Sequence, residues 1–211
     1  MAFTDFKSAD EVQEAYQIKL VEKNFLTLSP LKPPESFILD YQFVNENFDI
    51  FSSEASRCEN VIYPVLREVC KQYVKQYTLW SHKSISADEV LTGTPDYMIT
   101  KRSELGKNVL GLPLVLVVEA KQNDFKKGWG QCLAELVAAQ KLNKNTEEAV
   151  YGIVTDAEVW QFGKLESAIF TKNYARATID NLDEVFGAVC TIMGLASKNG
   201  NRLDSAESKR V

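Results

Sequence analysis

Several residue types and patterns that mark common enzyme classes are missing from this sequence. It contains a single histidine, His82, and no GxSxG segment, which argues against a Ser-His-Asp hydrolase. Neither GxxxxGK[ST] nor GxGxxG occurs, so neither an ATPase phosphate loop nor a dinucleotide-binding loop is indicated. The four cysteines are scattered and form no CxxC pair, which argues against a zinc site and a dense disulfide framework and fits a reducing cytoplasm.

Long apolar runs and an excess of positive charge are also lacking. The longest apolar stretch, residues 112–118, is far shorter than the roughly 20 residues of a membrane span. The acidic N-terminus has no apolar signal core, so we expect a cytoplasmic protein without membrane insertion. With 24 basic and 29 acidic side chains the net charge is -5, so any contact with nucleic acid must use a local patch.

The hydrophobic patterns along the 211 residues predict one mixed α/β domain. Residues 36–51 are ambiguous between a strand and an irregular lid. The predicted order is a helix over 8–22, a proline-rich loop over 28–36, a helix from Ser52 or Ser53 that Pro64 should kink, strands over 79–85, 95–100 and 112–121, a helix over 124–142, a hairpin over 149–165 and a closing helix over 181–196.

These elements suggest a division of the chain into three parts. Residues 1–50 are expected to form an N-terminal helix and loop extension, and residues 51–196 the main domain. The polar residues 197–211 are expected to form a disordered tail.

Three charged side chains are expected to meet at one edge of the sheet. Residues two apart in a strand share a face, so Glu119 and Lys121 point the same way at the end of an apolar strand. A hairpin turn centred near residue 107 or 108 pairs residues whose numbers sum to about 215, which places Asp96 beside Glu119. The alternative interpretation is that Asp96 caps a turn and that Glu119 and Lys121 form a solvated ion pair.

A further carboxylate, Glu54, lies at the start of the second helix. It precedes Cys58 by four residues and so falls on the predicted buried stripe of that helix, where a carboxylate needs a partner. It could therefore join the two carboxylates at the sheet edge. The alternative is that Glu54 is simply an acidic residue stabilised by the helix dipole.

With Pro95-Asp96 followed by Glu119-Ala120-Lys121, the sequence resembles the PD-(D/E)XK nuclease superfamily. Within it, the chain is most similar to the N-terminal nuclease domain of type I restriction enzyme motor subunits. The segments that carry the resemblance span roughly residues 52–165 and are SEASRCENVIYPVL, GTPDYMI, PLVLVVEAK, GWGQCLAEL and YGIVTDAEVWQF. The family's glutamine is matched by Gln131, whereas its tyrosine four residues later is replaced by Glu135.

The resemblance implies a restriction-endonuclease-like fold, with a mixed central sheet of about five strands flanked by helices. It implies metal ligation by Asp96 and Glu119, joined by Glu54, and catalytic roles for Lys121 and Gln131. The implied cofactor is Mg²⁺ or Mn²⁺, because hard divalent cations prefer oxygen ligands.

The implied activity is hydrolysis of phosphodiester bonds in DNA, in a restriction, defence or mobile-element setting. RNA remains an open alternative substrate, and the sequence does not choose between a monomer and a homodimer. No helicase motor is present, so a protein partner would have to supply a motor or sequence specificity. The second hypothesis is a catalytically silent module of the same fold that binds nucleic acid or a protein.

Lysines on or beside the helix over 124–142 are candidates for phosphate contacts, although each one alone is more simply part of a solvated face. They are Lys126, Lys127, Lys141 and Lys144.

Overall fold

The computed structural model describes the backbone of residues 2–207 and the side chains of residues 2–198. Its strands are β1 (Lys19–Glu22), β2 (Tyr77–Ser81), β3 (Ile85–Ser86), β4 (Thr92–Gly93), β5 (Tyr97–Lys101), β6 (Leu114–Ala120), β7 (Val150–Thr155), β8 (Val159–Glu166), β9 (Ile169–Lys172) and β10 (Ala177–Thr178). The helices are α1 (Ala9–Tyr16), α2 (Glu35–Asn47), α3 (Glu54–Arg57), α4 (Tyr63–Lys71), α5 (Phe125–Asn143) and α6 (Leu182–Glu207). A π-helical turn, Cys58–Ile62, joins α3 to α4.

The strands form one mixed sheet of eight and a separate two-stranded ribbon of β3 and β4. The order in the large sheet is β1-β9-β8-β7-β6-β5-β2, and β10 also pairs with β8. Strands β6 and β7 run parallel, whereas β5 with β6 and β7 with β8 are antiparallel. The parallel pair requires a crossover, and α5 supplies it.

Helices cover both faces of the sheet and create two apolar cores. Side chains alternate along β6, so Val118 packs with α4 and α6 on one face, while Val117 packs with α1 and α5 on the other. All seven residues of β6 are buried, as expected for a central strand covered on both sides. The mixed α/β class predicted from the sequence is confirmed.

The predicted number of about five strands is too low, because the large sheet has eight. Strands β2, β5, β6, β7 and β8 correspond to the five predicted strands and are contiguous in the sheet. The three missed strands, β1, β9 and β10, have only two to four residues each. Segments this short do not establish an alternating pattern in the sequence.

The predicted helix over 8–22 is correct only in its first half. Helix α1 ends at Tyr16, and Gln17 adopts a left-handed conformation with a φ of 53°. The chain then enters β1, which pairs in parallel with β9.

The ambiguous segment 36–51 is mostly helical, so both the strand and the irregular lid were wrong. Helix α2 buries Phe37, whereas Leu39 and Phe43 are each 59% exposed. Apolar residues therefore lie on the exposed side as well as the buried side of α2, which hides the helical period.

A π-helical turn precedes Pro64, which lies in the first turn of α4, and the expected kink there stays a prediction. Pro64 has no N–H to donate to the carbonyl four residues earlier, and the turn accommodates that missing bond. Helix α6 extends to Glu207, beyond the predicted end at residue 196, and the rest of the predicted tail, 208–211, lies outside the described residues. Within the described part of the chain, no helix combines the length and apolarity of a membrane span.

Candidate active site

The pairing of β5 with β6 brings Asp96 and Glu119 to the same edge of the sheet. Tyr97 lies opposite Val118, and the next two pairs keep the predicted sum of 215, so the predicted register is confirmed at this end. A bulge shifts the register after Ile99, away from the site. Asp96 precedes β5 directly, and its Oδ2 accepts a hydrogen bond of 2.7 Å from the backbone N–H of Ala120.

Glu119 and Lys121 share the face of β6 that packs against α5. Lys121 Nζ lies 2.9 Å from Glu119 Oε1, and the side chains are only 17% and 3% exposed. The backbone N–H of Lys121 donates to the carbonyl of Thr155, which continues the parallel pairing of β6 and β7 beyond Ala120. The pair is therefore held in a largely buried position and is not the solvated ion pair of the alternative interpretation.

Burial and neighbouring negative charge raise the pKa values of both carboxylates. Burial, followed by the negative charge of Asp96, raises the pKa of Glu119 to about 7. Burial also raises the pKa of Asp96, although the hydrogen bond from Ala120 and the charge of Lys121 act against it. Burial alone would lower the pKa of Lys121, but the nearby carboxylates outweigh burial and raise it. Lys121 therefore stays protonated beside Glu119.

Glu135 is a buried acidic residue at this site that the sequence analysis did not assign to it. It lies on α5, is 1% exposed, and is hydrogen-bonded to the Glu119 carboxyl. Burial, followed by the charges of Glu119 and Asp96, raises its pKa well above the usual range, which favours its protonated form. The sequence did contain a signal that Glu135 belongs to the site. Glu135 follows Gln131 by four residues, so both side chains lie on the same face of the helix.

Gln131 lies one turn before Glu135 and is 5% exposed. Two buried oxygens here have no hydrogen-bond partner among the described residues: Oε1 of Gln131 and Oε2 of Glu135. A buried polar atom without a partner costs free energy, so these two oxygens are unsatisfied acceptors on the buried face of α5.

Glu54 approaches the site from the opposite layer. Ser53 caps α3 by accepting a hydrogen bond from Ser56, which confirms the predicted helix start. Glu54 itself is exposed, so its predicted place on a buried stripe was wrong. Its Oε2 lies 3.4 Å from the backbone nitrogen of Gln122, one residue beyond Lys121. This contact brings Glu54 to the edge where Asp96 and Glu119 lie.

A cleft of about 680 Å³ opens beside these carboxylates. Glu54 and Asp96 line it together with His82, Arg67 and Tyr63. His82 Nδ1 lies 3.7 Å from Asp96 Oδ1, and its backbone N–H donates to the carbonyl of Asp96. The sequence analysis did not assign His82 or Arg67 to the site, because each depends on which strand or helix lies next to β5.

The donor set fits a divalent cation only in part. No three His, Cys, Asp or Glu side chains in the described residues are grouped as ligands for one ion. Mg²⁺, however, commonly uses one or two carboxylates and completes its shell with waters and a substrate phosphate. Asp96 and Glu119 would provide that minimal set, and a bound cation would offset the negative charge of their ionised forms.

No protein-family model matches this sequence, and no curated protein matches it. The resemblance of its motifs to a nuclease superfamily therefore stays a prediction, and the functional argument rests on the geometry of Asp96, Glu119 and Lys121.

Proposed function

We propose that the protein is a metal-dependent nuclease that hydrolyses phosphodiester bonds of DNA. The observation that carries the proposal is the arrangement of a half-buried carboxylate, Asp96, just before β5 and a buried one, Glu119, on the paired strand β6, with Lys121 two residues later on the same face. Strands β2, β5, β6, β7 and β8, with helices on both faces, supply a core compatible with a restriction-endonuclease-like arrangement, to which the other three strands of the sheet are additions.

The proposed roles follow from the position of each group. Bound Mg²⁺ or Mn²⁺ would supply Lewis acidity at the scissile phosphate and would lower the pKa of a water. Asp96 and Glu119 would hold the cation, and Glu54 would join them from the cleft side. Lys121 would release Glu119 to the cation and direct its ammonium group at the attacking water or the developing charge. Gln131 would place its unpartnered amide oxygen near the same region.

One observation favours the second hypothesis, a silent module that binds nucleic acid or a protein. Lys121 already neutralises Glu119 at 2.9 Å, and a lysine that only balances a buried carboxylate needs no metal. The two functions differ in whether the site turns over substrate.

The test is cleavage of supercoiled plasmid, single-stranded DNA and RNA in the presence of Mg²⁺ or Mn²⁺. We expect the wild-type protein to cut DNA, EDTA to abolish cutting, and Asp96→Ala and Lys121→Ala each to lower the rate by at least about a hundredfold, because each removes a group at the reacting centre.

The matched control is Lys164→Ala. Lys164 is 19% exposed and lies 2.7 Å from Glu166, two residues further along β8, so it reproduces the Glu-Lys pair on another strand. The Lys164→Ala protein should cut DNA at the wild-type rate. Wild-type protein that cuts no substrate while still binding DNA would contradict the nuclease and favour the silent module. Equal cutting by the Lys121→Ala protein would assign the activity to a different site or to a contaminant.

A further inference from the structure

A second polar cavity lies at the same end of the sheet as the candidate active site. Its volume is about 470 Å³, and it lies between the N-terminal half of α5, the start of α1 and the ends of β8, β9 and β1. Its lining includes three basic residues, Lys126, Lys172 and Arg176, and three aromatic residues, Phe125, Trp129 and Tyr174. None of these six residues belongs to the proposed catalytic set.

The three cations form no close ion pair in the described part of the chain. No ion pair joins Lys126, Lys172 or Arg176 to a described carboxylate at 4.0 Å or less, although other lysines of the chain form such pairs. Lys172 Nζ lies 5.5 Å from the centre of the Trp129 ring, which stabilises a cation but does not neutralise it. Two acidic residues also line the cavity: Asp10, which interacts with Lys126, and Glu22, which interacts with Lys172.

The partly buried position of Lys172 disfavours its charged form, and a bound anion would offset this effect. Burial lowers the pKa of Lys172, and the neighbouring charge of Arg176 also lowers it, whereas Glu22 acts in the opposite direction. An ammonium group that is partly buried beside a second cation is stabilised by any anion that enters the cavity. Phosphate suits this site because Arg176 can donate two hydrogen bonds to it and lysines can add charge.

The aromatic residues give the cavity a hydrophobic floor and an open ring at its mouth. Trp129 is 3% exposed, and its indole N–H donates to Gln161 Oε1 at 2.8 Å, so it is fixed in place. Tyr174 is 62% exposed, so one face of its ring is open to a planar partner. A base stacks on such a ring only when it is unpaired, since the bases of a duplex already stack on one another.

The cavity is separated from the candidate active site by the first turns of α5. An added Cβ at Gly128 would lie 3.2 Å from Lys121 Cγ, so Gly128 contacts the active site, and the next residue, Trp129, lines the cavity. The cavity and the site therefore lie on neighbouring sides of one helix, whose diameter is roughly 10 Å. A single nucleic-acid strand can cover that distance within a few nucleotides.

We propose that this cavity binds one nucleotide of a single-stranded segment of the nucleic-acid substrate, with its phosphate among Lys126, Lys172 and Arg176 and its base on Tyr174. The inference rests on the proposed function for the identity of the substrate. It goes further by assigning a preference for unpaired strands and a site that holds the strand next to the cleavage centre.

The test is binding of a labelled single-stranded oligonucleotide and of a duplex of the same sequence, measured by fluorescence anisotropy in EDTA over a range of salt concentrations. We expect the Lys172→Gln, Arg176→Gln double variant to bind the single strand at least about tenfold more weakly, with a salt dependence smaller by roughly one counterion. The charge-matched control is Lys75→Gln, Lys107→Gln, because both lysines are exposed near the opposite end of the sheet. It should bind within about twofold of the wild type.

A second pair of variants keeps the test valid if the double variant folds poorly. Tyr174→Ala should weaken binding of the single strand by about fivefold or more and leave duplex binding unchanged, whereas Tyr174→Phe should bind like the wild type. This test measures binding and not cleavage. A protein that binds in this pattern but never cuts DNA would therefore contradict the nuclease proposal and still support the nucleotide site in the cavity. Wild-type protein that does not prefer the single strand, or unchanged binding by the Tyr174→Ala and double variants, would overturn the inference even if DNA is cut.

Discussion

At the scale of single residues, the site is defined by three acidic groups whose pKa values are raised, in each case chiefly by burial. Glu119 interacts with the buried Glu135 and with Asp96, and Lys121 is the cation that contacts it. In its protonated form, which burial favours, Glu135 can donate a hydrogen bond to Glu119 without adding a negative charge.

The raised pKa values of Glu119 and Glu135 predict that the free energy of unfolding falls as the pH rises. Each group binds its proton more tightly in the folded state, so its stabilising effect is complete below the unfolded pKa, about 4.5. The effect is lost as the pH rises through the folded pKa, which is about 7 for Glu119. Removing the ionisable group at 135 should therefore flatten the profile.

We expect the stability of Glu135→Gln, relative to that of the wild type, to increase by about 1–3 kcal/mol as the pH rises from 5 to 9. Urea denaturation at pH 5, 7 and 9 measures this difference. The exposed Glu104→Gln should stay within about 0.5 kcal/mol of the wild type at each pH. Parallel profiles for the wild type and Glu135→Gln would show that Glu135 does not carry the assigned proton.

At the scale of secondary-structure elements, α5 connects the candidate active site to the rest of the fold. Asp124 caps the helix by accepting a hydrogen bond from Lys127, and the first turns pass directly over the end of β6. Gly128 allows this approach, because an added Cβ would lie 2.6 Å from Val154 Cγ1. The absence of a side chain at Gly128 therefore sets the distance between α5 and Lys121.

We expect Gly128→Ala to destabilise the protein by about 1–3 kcal/mol and to slow DNA cleavage, because α5 must move away from Lys121. The comparison is Gly194→Ala in α6, where the nearest atom to an added Cβ is Tyr73 Oη at 3.8 Å. That variant should gain about 0.5–1 kcal/mol from helix propensity. Thermal unfolding and plasmid cleavage measure both effects. A Gly128→Ala protein as stable and active as Gly194→Ala would contradict the close packing.

At the scale of the whole molecule, the N-terminal residues belong to the same two cores as the central strands. Phe3, Phe6 and Val12 are buried with α5, and Phe37 is buried with α4 and α6. Strand β1 extends the sheet beside β9. The first fifty residues therefore contribute packing to both faces of the sheet.

We expect Phe3→Ala to cost about 3–5 kcal/mol of stability, because Phe3 is 1% exposed and its removal leaves a cavity next to α5. The control is Phe43→Ala, since Phe43 is 59% exposed on α2 and should lose little by truncation. Guanidinium denaturation of the two variants measures the difference. A loss below about 1 kcal/mol for Phe3→Ala would mean that the N-terminal segment is not docked on α5.

The sequence by itself determined the mixed α/β class, the existence of five strands and the Asp96 to Glu119 register, because strong local periods and a short hairpin specify these features. It did not determine the edge strands, helix α2 or the exposure of Glu54, since short segments and mixed faces carry little periodicity. Only the tertiary structure decided that Glu135, His82 and Arg67 surround the site and that Lys126, Lys172 and Arg176 share a cavity. These groups are distant along the chain, and only the packing of α5, α4 and β9 against the sheet brings each set together.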